Sequence, residues 1–173
     1  MAQSENSTVS IENDLELILR QEDELQFYVF SAETAWEVGN RLHEDALARG
    51  AAMTFEIQVA GRTLFYAQTG FAPADQMEWI RRKRNGVMRF ARSSYAIGLD
   101  LQQQGKSIED KYGLPVAEYA THGGGFPIVL RSTGCVGSVI ASGLPQREDH
   151  AMVVNALAAV LGVEATRLPY AAP

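Results

Sequence analysis

Apolar positions recur along this chain with several spacings, and each spacing predicts an element. Over Ile11–Glu24 the apolar residues Ile11, Leu15, Ile18 and Leu19 stand at helical intervals among acidic ones, with Ser and Thr residues just upstream that suit a helix entry. Leu25–Phe30 reads as a short strand. Ser31 then caps a helix that carries Glu33 and Thr34 in its first turn, continues through Trp36, Val38 and Leu42, and stops near Gly50. In Ala52–Val59, Met53, Phe55, Ile57 and Val59 alternate with Thr54, Glu56 and Gln58. That is a half-buried strand, paired with Thr63–Gln68 across a turn at Ala60-Gly61-Arg62.

Beyond Pro73 the longest helical pattern runs over Ala74–Gln104. One apolar stripe carries Met77, Ile80, Val87, Met88, Ala91, Tyr95 and Leu99, and a second carries Trp79, Phe90, Ile97 and Leu101, so two faces should be buried. Gly86 and Gly98 each weaken such a helix by about 1 kcal/mol relative to Ala. A short helix at Ser107–Tyr112 is ended by Gly113 and Pro115. The closing hairpin, Phe126–Leu130 with Cys135–Ala141, turns at Ser132-Thr133-Gly134 and is apolar on both faces, so both should be covered. The last helix starts at Pro145, carries Glu148 and Asp149 in its first turn, and runs to Leu161-Gly162. It leaves almost no polar face, which predicts burial all round and, in a chain of this size, contact between subunits. The order predicts an α/β (α+β) fold with a central five-stranded antiparallel sheet flanked by helices. Residues 1–10 and 164–173 read as flexible tails, and residues 11–163 as a single domain.

Composition narrows the function classes. With 173 residues, 46% of them hydrophobic, the chain has the make-up of one globular domain. No apolar run approaches the roughly 20 residues that cross a bilayer, and the polar, acidic N-terminus lacks the features of a signal peptide, so a soluble cytoplasmic protein is expected. The single Cys135 excludes an intrachain disulfide and a thiolate cluster. A net charge of −6 argues against nucleic acid as a partner, and nothing suggests a membrane. The basic exception is Arg81-Arg82-Lys83-Arg84.

Candidate chemistry gathers around three consecutive glycines, Gly123–Gly125, which free the backbone for a close approach to a ligand or for a tight turn. They lack the GxGxxG spacing, and no helix follows them. His122, just before them, could ligate iron or serve as a structural histidine. His150 reads as structural, and His43 as solvated among Arg41, Glu44 and Asp45. The three histidines have no zinc-ligand spacing. Cys135 reads as a buried small hydrophobe. Lys83, Arg84, Arg89 and Arg92 form either a solvated helix face or the lining of an anion pocket. Ser93-Ser94 suits close helix packing, and no Ser-His-Asp or paired-carboxylate arrangement is present.

Several phrases together carry a resemblance: GGGFPI followed by VGSVIASG, with WIRRKRN (Trp79–Asn85), RFARSSYAIG (Arg89–Gly98) and SGLPQREDHAMVVNAL (Ser142–Leu157). Over roughly Leu15 to Leu161 the chain resembles the haem-degrading-domain family of HbpS-like and GlcG-like proteins, in an uncharacterised branch. The resemblance implies a profilin-like topology, homo-oligomers, and haem or another small anionic planar ligand. That ligand would be held by Lys83, Arg84, Arg89, His122, Gly123, Gly124, Gly125 and Phe126, with His122 as the candidate for the iron. Alternatives are a protein-interaction or chaperone-associated module with no small ligand, and a weak haem-degrading enzyme.

Overall fold

Ser31 behaves as the sequence requires. Its hydroxyl accepts from the Thr34 N–H while its own N–H is taken by the Thr34 hydroxyl, so two of the unpaired donors at a helix start are satisfied reciprocally. The computed structural model describes residues 2–166 of the chain. Its helices are α1 (Ala2–Glu24), α2 (Ala32–Ala48), α3 (Asp75–Phe90), α4 (Ser94–Gln103), α5 (Ile108–Tyr112) and α6 (Gln146–Leu161). Five strands are interspersed, β1 (Gln26–Phe27), β2 (Thr54–Val59), β3 (Arg62–Gln68), β4 (Gly125–Leu130) and β5 (Gly134–Ser142).

These strands form one sheet in the order β1-β4-β5-β2-β3. The two hairpins and the β2–β5 pair are antiparallel, as expected. The sheet is nevertheless mixed, because β1 lies parallel to β4, with Gln26 opposite Val129. No hairpin joins these two strands, so nothing in their connection forces the opposite direction. The expected strand Leu25–Phe30 shrinks to two residues. Phe27 and Phe30 turn instead into the core, their rings edge to face at 4.9 Å.

Both faces of the sheet are covered. Phe55, Ile57, Phe126, Ile128 and Val139 pack with α2 and α6 in the main core, whereas Ile140 on the opposite face meets Ile80 and Val87 of α3. This corrects the half-buried reading of β2. Its polar positions Thr54 and Glu56 are buried under α3, and each is satisfied there, Thr54 by Gln76 and Glu56 by Arg84. The apolar circumference of α6 is likewise consumed inside the chain. Met152, Val153, Val154, Ala156, Leu157 and Ala158 are buried against the sheet, α2 and α4, so the subunit contact expected from this helix has no apolar face left to serve it.

The expected helix Ala74–Gln104 is two helices. The chain leaves α3 at Ala91 in the left-handed region (φ 52°, ψ 34°) and starts again where the Ser93 hydroxyl accepts from the Ala96 N–H. At the N-terminus, α1 is helical through most of the residues expected as a tail. The C-terminal tail lies largely outside the described residues.

A left-handed conformation strains any residue with a Cβ. Ala91→Gly is therefore expected to raise stability by about 1 kcal/mol, read as a higher urea midpoint with an unchanged slope.

Candidate functional site

Lys83 belongs to the inner face of α3, which presses it against β5 and the start of α6. Its ammonium donates to Asp149 Oδ2 and to the Ala141 carbonyl, both at 2.9 Å. The two side chains are only 2% and 3% exposed. Asp149 comes from the first turn of α6, and its other oxygen accepts from the Leu144 N–H at 2.9 Å. Burial works against both charges, pushing the Lys83 ammonium below its usual range and the Asp149 carboxyl above its own, while each partner's charge opposes that shift. The glycine loop closes over this pair. Gly124 has φ +114°, and a Cβ there would lie 2.3 Å from the Ala141 oxygen and 2.8 Å from Lys83 Nζ. Only glycine satisfies both conditions.

Beside the ion pair is a cavity of about 320 Å³. Trp79 and Lys83 of α3 are among its lining residues, with Asp75 beside them, His122 and Gly123 of the glycine loop, and Ser142, Gln146 and Asp149. The His122 and Trp79 rings meet edge to face at 5.0 Å, and the Arg82 guanidinium lies 4.7 Å over the Trp79 ring. Burial, with the charges of Lys83 and then Arg82, lowers the His122 pKa, so its imidazole is neutral at pH 7. It makes no side-chain hydrogen bond among the described residues. Its backbone is fixed by Ser94, whose hydroxyl donates to the His122 carbonyl at 2.5 Å and accepts from the Gly125 N–H at 2.9 Å.

The sequence-derived set divides in two. His122, Gly123 and Lys83 line the cavity, Gly124 stands against Lys83, and Gly125 and Phe126 are buried in β4 behind it. Arg84 is turned to Glu56, Arg89 is exposed at the end of α3, and Arg92 approaches Glu22 at 3.9 Å. Of the basic residues proposed as an anion clamp, only Lys83 reaches the cavity, and its charge is already compensated. A helix presents successive residues about 100° apart, so adjacent cations cannot share one face. Ser142 and Gln146 were not singled out in the sequence, Asp149 was read only as a first-turn acid and Ser94 only as a packing residue. The usable signal was Asp149, an acidic residue entering a helix that has no polar face.

His150, the next residue, is fully buried between Tyr95 and Phe126. Its Nε2 is 2.7 Å from Gln21 Oε1. Because the Gln21 amide nitrogen donates to the Thr166 carbonyl, that oxygen accepts and Nε2 carries the proton. Its Nδ1 has no partner among the described residues. Cys135 is half-buried, its Sγ donates to the Gly137 carbonyl at 3.5 Å, and burial raises its pKa, all consistent with an unreactive thiol. No cluster of three His, Cys, Asp or Glu side chains suited to a metal ion occurs among the described residues.

A family model described as "Haem degrading protein HbpS-like" matches residues 30–158. A UPF0303 protein of Paraburkholderia phymatum is 49% identical over 163 residues, covering 94% of this chain and 99% of that one. A UPF0303 protein of Burkholderia cenocepacia is 52% identical over 154 residues, covering 89% and 93%. Among solved structures, the Ybr137w protein superposes with a TM-score of 0.79 at 29% identity, over 86% of this chain and 87% of that one. HbpS gives 0.60 at 21% identity, over 79% and 93%. A complex of PduOC with haem gives 0.62 at 19%, over 77% and 95%, and these last two likenesses are of fold.

Burial, and secondarily the charge of Arg147, lowers the His150 pKa from 6.5 to about 3. The unfolded chain therefore binds a proton that the folded chain refuses, so this contribution to stability is complete above about pH 6.5 and is lost as pH falls towards 3. A difference of that size corresponds to roughly 5 kcal/mol. His150→Gln is expected to flatten the dependence of chemical-denaturation stability on pH across this window, relative to the unaltered chain.

Proposed function

We propose that this chain, which belongs to the HbpS-like haem-degrading family, is a ligand-binding protein whose cavity takes a planar ligand, with haem as the leading candidate. The observation that carries the reading is His122, a neutral imidazole in the cavity wall, beside an aromatic ring and with its ring nitrogens unclaimed among the described residues. A neutral imidazole is the form that ligates iron. His122 thus fits haem as the residue that would hold the metal, and bound haem would bring an iron centre to the cavity. The expected propionate clamp fits less well, since Arg84 and Arg89 do not line the cavity and Lys83 is paired with Asp149. About 320 Å³ is near the lower end of small-molecule sites, so a large macrocycle would be enclosed only in part.

No helix among the described residues is long and apolar enough to cross a membrane, in keeping with a cytoplasmic setting for this function. Self-association belongs to the same reading. With α6 consumed internally, it falls to the exposed apolar side chains, among them Tyr28, Val29, Trp36 and Phe71.

Haem added to the purified chain is expected to give a Soret change saturating at about one haem per subunit. His122→Ala should alter the coordination spectrum, because the imidazole is the only change at the iron. A non-saturable signal indifferent to His122 would refute the haem reading and leave a protein-interaction module.

Light scattering on the same sample is expected to give a mass that is a multiple of 18.9 kDa. A monodisperse monomer at micromolar concentration would remove self-association from the reading.

A further inference from the structure

Two polar groups at the inner end of the cavity have hydrogen-bonding capacity that the protein does not use. An ammonium has three N–H donors. Lys83 gives one to Asp149 and one to Ala141, and the third has no acceptor among the described residues. Ser142, adjacent to Ala141 in β5, lines the same cavity at 5% exposure, and its hydroxyl makes no hydrogen bond among the described residues. Gln146, exposed at the rim, presents an amide –NH2 without an acceptor among the described residues, its oxygen being taken by the Gly123 N–H at 3.4 Å. Unused donors in a recessed site call for an acceptor on whatever enters it.

Charge decides which acceptor. The charge of Lys83 is neutralised by Asp149 at 2.9 Å, and Asp75 brings a second carboxylate to the lining. The Arg82 guanidinium is directed at the Trp79 ring and the Val116 carbonyl. A ligand carboxylate would surrender its hydration and meet no uncompensated cation. A carbonyl oxygen gives up far less and satisfies the same donors. Trp79 and His122, with ring planes at 81°, form an aromatic corner in the wall of the same cavity, which suits a planar ring.

We propose that this inner end is a subsite for the neutral carbonyl oxygen of a planar ring compound, such as an aromatic amide or lactam, and that it discriminates against the corresponding carboxylate. The inference rests on the cavity being the ligand site. Lys83 and Ser142 donate to the carbonyl oxygen, Trp79 and His122 flank the ring, and Asp149 acts as a specificity determinant by cancelling the charge that would otherwise attract an anion.

Benzamide and benzoate, alike in shape and different in charge, are the probes. Each is titrated into the ¹⁵N-labelled chain while the Trp79 indole N–H and the backbone amides of Ser142 and Gly143 are followed. Benzamide is expected to bind at least about tenfold more tightly than benzoate. Ser142→Ala should weaken benzamide by roughly threefold to tenfold. Asp149→Asn, which uncovers the Lys83 charge, should reverse the order of the two probes; if that variant does not fold, the Ser142→Ala series decides. Equal binding of the probes to the unaltered chain, no binding of benzamide, or shifts confined to sites away from Trp79 and Ser142 overturns the subsite. Haem titrated into the same preparation separates the two readings. A saturating Soret change without a benzamide preference removes the subsite alone, and a benzamide preference without a Soret change removes the haem reading alone.

Discussion

The contact on which the rest of this structure depends is the buried ion pair of Lys83 and Asp149. It ties the inner face of α3 to the first turn of α6, across the end of β5, and so joins elements from both faces of the sheet at one point. Taking two charges out of water costs several kcal/mol for each ion, a penalty that a hydrophobic pair of the same volume would not incur. Breaking the pair by removing one partner typically costs about 3–5 kcal/mol, because the other is left uncompensated. An interaction so poorly suited to stability alone, in the wall of a cavity, is the kind of arrangement found where a site needs fixed charges.

The pair also sets the electrostatics of its neighbours. The Lys83 ammonium helps keep His122 neutral, while Asp149 compensates the Lys83 charge at 2.9 Å. Arg82 contributes to the same balance from outside the lining, against the Trp79 ring. Four side chains from three segments of the chain therefore set the charge around the cavity. Ser94, at the start of α4, fixes the loop between them by bonding the His122 carbonyl and the Gly125 N–H.

Much of the fold was legible in the sequence, for reasons that can be stated. Local signals with a definite mechanism were read correctly, such as the Ser31 cap and the closing hairpin, because the partners involved lie within a few residues. The misread features depend on what a segment meets from elsewhere. β2 alternates perfectly, yet α3 buries its polar face. α6 is apolar all round because one chain surrounds it. The break at Ala91 was hidden because an alanine carries no left-handed signal, although Ser93 two residues later was a helix-start residue in plain view. At the site, His122 and the glycines could be found from the motif they form, and Lys83 from the basic run. Asp149 lies 66 residues from Lys83 in the chain, and no local pattern announces that pairing.

The space denied to a side chain at Gly124 has a consequence for the history of the family. Its missing Cβ would collide with the Ala141 oxygen and stand within 2.8 Å of Lys83 Nζ, so positions 83, 124 and 149 are answerable to one another. A lineage that abandons the glycine must also relinquish the lysine's place, whereas one that loses the lysine still meets the Ala141 oxygen and the positive φ at position 124. A substitution at position 124 should therefore come with changes at 83 and 149, giving a three-letter criterion for sorting relatives that have kept this cavity from those that retain only its scaffold.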